Sequence, residues 1–597
     1  MKFLSGLALG LMTTGAALAE DPAAFPGGCW PEAKVVEILA KTQEIRLAPD
    51  LSGLDDGEKA AVGSLLKAGA IFQGLYEEAR HHQALKAGRD LIALDRRLGG
   101  PKRTKDLLDL YRLFQGPIAT TLANAREPFL PVDPQVPGRN VYPIDATGDE
   151  VNAFIAAHPE RRSTILAERS VVRRATRESL DRDLKALEDG ALGVLHRGLK
   201  AELQALSRSP DPKAFYAVPY AVAYGADLRL AYEHMVDAAA SIEPTDEDLA
   251  AYLRNRARDL LSNDYESGDA SWVAGRFKKL NAQIGAYETY DDALFGVKAF
   301  SSFSLLLNDR AATDELRKKL GGLQQVEDAL PYDHHKRVRE DISVGIYDVV
   351  ADFGQARGTN TATILPNDAA FSRKYGRTIL LRRNVMEHPE IFAADLRIWR
   401  AATNDAFADD LAPAGNFQRT LWHEVGHYLG VDRDKQGRTL DAALQDQADA
   451  LEEMKADLVS LFTLHRMAKD GAIDATLLRA VQAGGVRRTL QNVKPRKDQP
   501  YQTMQLAQFN YFLEKGLIAA DPTTARLSID YARYAEVVTD LLREVLAAQY
   551  EGDRAAAEAF FTRWGAWTPE LHEKLAARIR DAQGARFRIV RYAALGE

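Results

Sequence analysis

The pattern of apolar positions is clearest between residues 417 and 461. Phe417, Leu421, Val425 and Leu429 recur every fourth residue, which predicts a helix with one buried side. Asn416 reads as its N-cap and Gly430 as its stop. Leu444, Ala448, Leu451, Met454, Leu458 and Leu461 then alternate by threes and fours, predicting a second helix over 441–469 that ends at Lys469-Asp470-Gly471. Residues 30–125 and 148–265 carry helical patterns too, the first broken at Leu98-Gly99-Gly100-Pro101. Between them, residues 127–143 hold five prolines and read as an irregular connection. Strand and turn signals come at 275–300 and 359–386, where Thr378 to Leu381 is a compact β-branched apolar run. The pattern returns to helix over 393–580, and Phe587 to Tyr592 alternates as a final strand. The expected class is mainly α with a smaller mixed α/β part.

Composition changes this picture little. The 597 residues are 46% hydrophobic and 27% charged, ordinary for a folded protein. A net charge of -8, from 77 basic and 85 acidic residues, argues against a nucleic-acid partner. The N-terminus is different in kind. Met1-Lys2 is a short basic start, residues 3–12 are apolar, and Ala17-Leu18-Ala19 precedes Glu20 as a small-x-small cleavage site. Residues 1–19 therefore read as a secretory signal peptide, too short to serve as a membrane anchor. Export to the periplasm, with no membrane insertion after cleavage, is the expectation. Cys29 is the single cysteine, so no internal disulfide can form, and it reads as a buried thiol.

The chemistry lies in WHEVGHYLG and LEEMKAD. His423 and His427 are four apart, so both imidazoles fall on one helix face and can hold one ion, with Glu424 beside them. Catalytic zinc takes three protein ligands and keeps a position for water. Glu453 is the third candidate. Asp457, one turn on, can take a hydrogen bond from the far nitrogen of a liganding histidine, and Glu452 is a second supporting acid. Either half alone could be chance, a core helix and a solvated acidic face; the two in order favour one zinc ion. The other histidines carry less. His81-His82 reads as surface, His334-His335 as a solvated helix start, and His465 as packed.

These segments, with YAVPYAVAY at 216–224, YLRNRARDLLSNDY at 252–265, IGAYETYDDALFG at 284–296, LPND at 365–368, RRNVME at 382–387 and FNYFLEKG at 509–516, resemble the dipeptidyl peptidase III family of zinc exopeptidases, especially its shorter bacterial members. The resemblance runs from about residue 140 to 570. It implies two lobes flanking a wide cleft, with zinc on two helices of the helical lobe. It implies His423, His427 and Glu453 as ligands, Glu424 as catalytic base and Asp457 as a supporting acid. The division it suggests is a first lobe at 20–300 with a β-rich insertion at 346–390, a helical lobe at 301–345 and 391–580, and a return segment at 581–597.

The chain also departs from the better-known animal and fungal members. Its histidine motif has five residues where theirs has six, which is the plain i, i+4 geometry. The histidine and arginine that those members use downstream to steady the transition state have no counterpart in MQLAQFNYFLEKG. The expected reaction is release of dipeptides from peptide N-termini. Glu288, Asn367 and Asn384 are the candidates for holding the substrate's ammonium group, and Tyr290 for donating to the oxyanion. Each also has a structural reading, as turn or packing residue. Two other functions stay open from sequence: a zinc endopeptidase or aminopeptidase of other specificity, and a non-catalytic peptide-binding protein on the same fold. The sequence is silent on oligomeric state.

Overall fold

The structure is a computed structural model that describes residues 25–597 except 124, 189, 290, 321, 339–342, 367–370, 372–373 and 496–499. Residues 1–19, read from the sequence as a signal peptide, and Tyr290 and Asn367 lie outside the described residues.

Two lobes meet at a cleft. The first is built on a five-stranded mixed sheet with strands β1 (Leu280–Ala286), β2 (Ser301–Asn308), β3 (Ser343–Gly354), β4 (Ala362–Leu365) and β5 (Thr378–Arg382), ordered β1-β2-β3-β5-β4. The pairs are antiparallel except β3 with β5, where Ile346 lies opposite Leu381. Helix α1 (Asp56–Arg80) packs on β2 and β3, and α2 (Gly225–Ile242) and α3 (Glu247–Ser262) extend the layer. Phe72 of α1 meets Phe303 edge-on at 5.6 Å, and Phe303 meets Phe353 at 5.9 Å. A Cβ at Gly69 would stand 2.3 Å from the Phe353 ring, so the helix approaches the sheet this closely only with glycine there.

The second lobe is helical: α4 (Pro413–Gly426), α5 (Ala448–Lys469), α6 (Ala475–Thr489), α7 (Pro500–Glu514) and α8 (Tyr534–Glu551) share one large core. Every residue of the two apolar stripes read from the sequence is buried in it. The sheet has a foot in both cores. Leu380 turns toward α1, while its neighbours Ile379 and Leu381 join the helical core. Strands buried on both faces read as continuous apolar runs.

Several boundaries differ from the sequence reading. The two strand-rich patches do belong to one sheet, but β2 and β3 lie between them. β2 falls in the stretch assigned to the helical lobe, whereas Leu316, Leu323, Leu330 and Val338 after it pack in the helical core. β3 carries no alternating signal because it is buried on both faces. The helical reading of 148–265 also missed an antiparallel strand pair, Ser170–Ala175 with Asp211–Pro219. α4 begins at Pro413 with Ala412 as its N-cap, a turn before Asn416, because proline is preset for the first helical turn. A 3-10 turn, Gln445–Gln447, separates Leu440–Leu444 from α5. His81 is buried, not surface: α1 ends at Arg80, and the ring turns in to meet the Asp133 carbonyl at 3.0 Å. The final strand Phe587–Tyr592 is present and pairs in parallel with Thr42–Leu47. No helix among the described residues is long and apolar enough to cross a membrane.

Candidate metal and active site

The site forms where α4 crosses α5. The crossing is close because Gly426 has no side chain: a Cβ there would lie 2.9 Å from the Ala456 carbonyl oxygen. Gly426 is the glycine inside HEVGH, so the motif that offers the histidines also lets α5 bring up its acids.

His423, His427 and Glu453 each present a ligand atom, and the three lie within 4.8 Å of one another. The histidine rings stand at 87° with centroids 4.9 Å apart. His423 Nδ1 is 2.7 Å from Asp457 Oδ1, and His427 Nδ1 is 2.9 Å from Glu452 Oε1. A proton on each Nδ1, donated to its acid, leaves both Nε2 lone pairs for a ligand. Both carboxylates are themselves held. Arg419 and Arg488 donate to the two oxygens of Asp457 at 3.1 and 3.0 Å. Glu452 takes Lys455 at 2.7 Å and Gln549 at 3.1 Å, and Lys455 also donates to the carbonyls of Gly426 and Leu429, tying α5 to the end of the motif.

Burial disfavours charge on these acids, yet the cations around them win. Lys455 and His427 hold Glu452, and Arg488 with His423 holds Asp457, well below the usual carboxylate range. Burial also opposes a charge on His423, but Asp457 and then Glu453 push its imidazole up to about 9. Its Nε2 stands 3.2 Å from Glu453 Oε2, an oxygen that is buried and accepts no hydrogen bond of good geometry. Two acceptors facing each other need a proton or a cation between them. Two donors bound tetrahedrally to one zinc at about 2.0 Å would stand about 3.3 Å apart. The donor set fits zinc.

Glu424 lines the same cleft, and no hydrogen bond or ion pair among the described residues claims it. The cleft holds about 770 Å³ and has the sheet as its opposite wall, with Gln283, Ser302, Thr363 and Arg382 facing the metal-site helices. Arg382 is buried and donates to Thr363 at 2.6 Å and Ser304 at 3.1 Å.

Of the residues proposed for the substrate's ammonium, Glu288 lines the cleft. Asn384 does not. Its amide is used up on β3, accepting from the Val349 N–H at 2.9 Å and donating to the Val349 carbonyl at 3.0 Å. It works as a substitute ladder rung, the structural role that asparagine fills at a strand end. Sequence reasoning missed Tyr501, which lines the cleft with its hydroxyl beside the Glu453 carboxylate. It also missed Arg419, Arg488 and Gln549. Only Lys455 had a local signal, three residues after Glu452 on one helix face.

No family model matches the chain. Among curated proteins it is similar to Nudix hydrolase 3 of Arabidopsis thaliana, 26% identical over 459 residues, which is 74% of this chain and 55% of that protein. The chain thus spans about half the length of that relative. Among solved structures it is similar to dipeptidyl peptidase III from Caldithrix abyssi, with a TM-score of 0.78 at 23% identity over 94% of this chain and 99% of the other. It is also similar to dipeptidyl-peptidase III from Corallococcus sp. strain EGB, with a TM-score of 0.74 at 23% identity over 95% and 98%. With two lobes, a mixed sheet and a His-His-Glu group on crossed helices, this chain has the fold of dipeptidyl peptidase III.

Proposed function

We propose that this protein is an exported, zinc-dependent peptidase of the dipeptidyl peptidase III family that releases dipeptides from the N-terminus of peptides. The observation that carries the reading is the convergence of His423, His427 and Glu453, with Glu424 beside them, on a cleft of about 770 Å³. His423, His427 and Glu453 would hold one zinc ion. When bound, the metal lowers the pKa of a coordinated water and polarises the scissile carbonyl. Glu424 takes the water's proton and returns it to the leaving amine. Asp457 and Glu452 keep the two imidazoles in the tautomer that offers Nε2. Tyr501 donates to the carbonyl oxygen as negative charge develops on it. Glu288, at the far wall, receives the substrate's ammonium group, which would set cleavage at a fixed distance from the N-terminus.

The test is zinc content together with hydrolysis of a panel of dipeptidyl-naphthylamides and N-terminally blocked peptides, on wild type and Glu424→Gln. The expected result is one zinc per chain in both proteins, turnover of unblocked substrates by wild type alone, and no cleavage of blocked ones. Protein that holds no zinc and stays inert toward all peptides after zinc addition would overturn the reading. Cleavage of blocked peptides would overturn the exopeptidase part.

A further inference from the structure

Beside the metal-site helices lies a second cavity, of about 340 Å³. Arg419 of α4, one turn before His423, lines it, as do Arg487 and Arg488 at the end of α6 and Arg588 of the C-terminal strand. Among the lining residues the one carboxylate is Asp395, which takes Arg487 at 2.6 Å. Arg419 and Arg488 share Asp457, which sits behind the lining and already serves His423. The Arg588 side chain makes no hydrogen bond or ion pair among the described residues, although Asp395 acts on its charge. Four guanidiniums thus share two directly bonded carboxylates, a surplus of two positive charges at the cavity wall, with Glu453 acting on Arg488 from farther off.

Three of these side chains lie in a poorly hydrated place: those of Arg419, Arg487 and Arg488 are only 12%, 20% and 26% exposed, whereas Arg588 is exposed. Buried charge without full compensation is costly, so a site of this kind favours a counter-ion. Burial and the nearby Arg488 push the Arg419 guanidinium down to about 10, the direction that crowded like charges produce. Thr361, Asn416 and Gln505 add neutral polar groups to the wall. Planar guanidinium forks suit oxyanions, and a doubly charged one balances the count where a monocarboxylate would not.

We propose that this cavity is a binding site for a small dianionic oxyanion of the phosphate class, held chiefly by Arg487, Arg488 and Arg588. The proposal is independent of the peptidase reading, because it rests on the charge count of a cavity outside the catalytic cleft. The experiment is calorimetric titration of inorganic phosphate into the full-length protein, with and without bound metal. Sodium sulfate and sodium acetate serve as comparison anions, and sodium chloride controls for ionic strength. Saturable one-to-one binding is expected for phosphate and sulfate, at least tenfold weaker binding for acetate, and none for chloride. Arg588→Gln should weaken phosphate at least tenfold, and Asp395→Asn should tighten it. A gain of affinity cannot come from misfolding. Binding matched by chloride or acetate, or indifferent to both Arg588→Gln and Asp395→Asn, would sink the proposal. Phosphate that binds only to metal-loaded protein would do so too, since it would then sit on the metal.

Discussion

Asp457 Oδ1 stands 2.7 Å from His423 Nδ1 while both its oxygens take arginine N–H groups, from Arg419 and Arg488. One buried carboxylate therefore orients a candidate metal ligand and anchors the middle of α4 to the end of α6. Asp457→Asn keeps the shape but loses the charge, and an amide can present its N–H₂ to Nδ1 and reverse the tautomer. Loss of such a partner typically costs about 10–100-fold in metal affinity. We expect that range for Asp457→Asn, measured by chelator competition, with the metal still bound at saturating zinc. Unchanged affinity would show that the tautomer is set by other groups.

Glu452 and Glu453 are neighbours in sequence with separate duties. Glu453 has a buried oxygen that accepts no hydrogen bond of good geometry and would face the proposed ion, and Glu452 supports His427 from behind. Glu453→Gln should abolish stoichiometric zinc. Glu452→Gln should retain it with affinity lowered by about tenfold. Metal content after dialysis against a moderate chelator separates the two, and equal loss from both variants would contradict the division of labour.

Much of this site was legible because its parts are local. His423, Glu424, His427, Glu452, Glu453 and Asp457 lie on two helices whose apolar stripes fix which face turns inward. The supports were not legible. Arg488 and Gln549 reach the site from α6 and α8, and no spacing within α4 or α5 points to them. The sheet showed the same limit. β5 was found as a short β-branched run, yet β3, the strand that joins β2 to β5, was not, since burial on both faces erases alternation. Asn384 misled for another reason. It lies in a family-like segment, and only the backbone of Val349 reveals where its amide is spent.

The Gly426 crossing makes a stability prediction that runs against helix propensity. Alanine is the better helix former by about 1 kcal/mol. Here its Cβ would meet Ala456 O at 2.9 Å and Ala456 Cα at 3.0 Å, both backbone atoms of α5. Overpacking of this sort costs about 1–3 kcal/mol. Gly426→Ala should therefore lower the urea midpoint and, by widening the gap between His423 and Glu453, weaken zinc as well. A variant as stable as wild type with full zinc affinity would show that the helices separate at no cost.

Lys298 provides a pH test far from the metal. It is fully buried and lies 2.7 Å from the Ile165 carbonyl, 2.8 Å from that of Ala167 and 2.7 Å from Ser170 Oγ. Burial pushes its ammonium down to about 7, against the pull of Asp292. Nζ donates to the two carbonyls and to Ser170 Oγ, whose own hydroxyl donates to the Ala167 carbonyl at 3.0 Å, so burial rather than a missing acceptor opposes the charge. Between pH 7 and the unfolded value near 10.5 the unfolded chain carries a proton that the folded chain has released. Stability therefore rises with pH across that window, by at most about 1.4 kcal/mol per unit. Below pH 7 both states are charged and this contribution is flat. Lys298→Met removes the titration, so the urea midpoint of wild type relative to the variant should climb from pH 7 to 10 and stay level from pH 6 to 7. Parallel curves for the two proteins would mean that Lys298 stays charged in its pocket throughout.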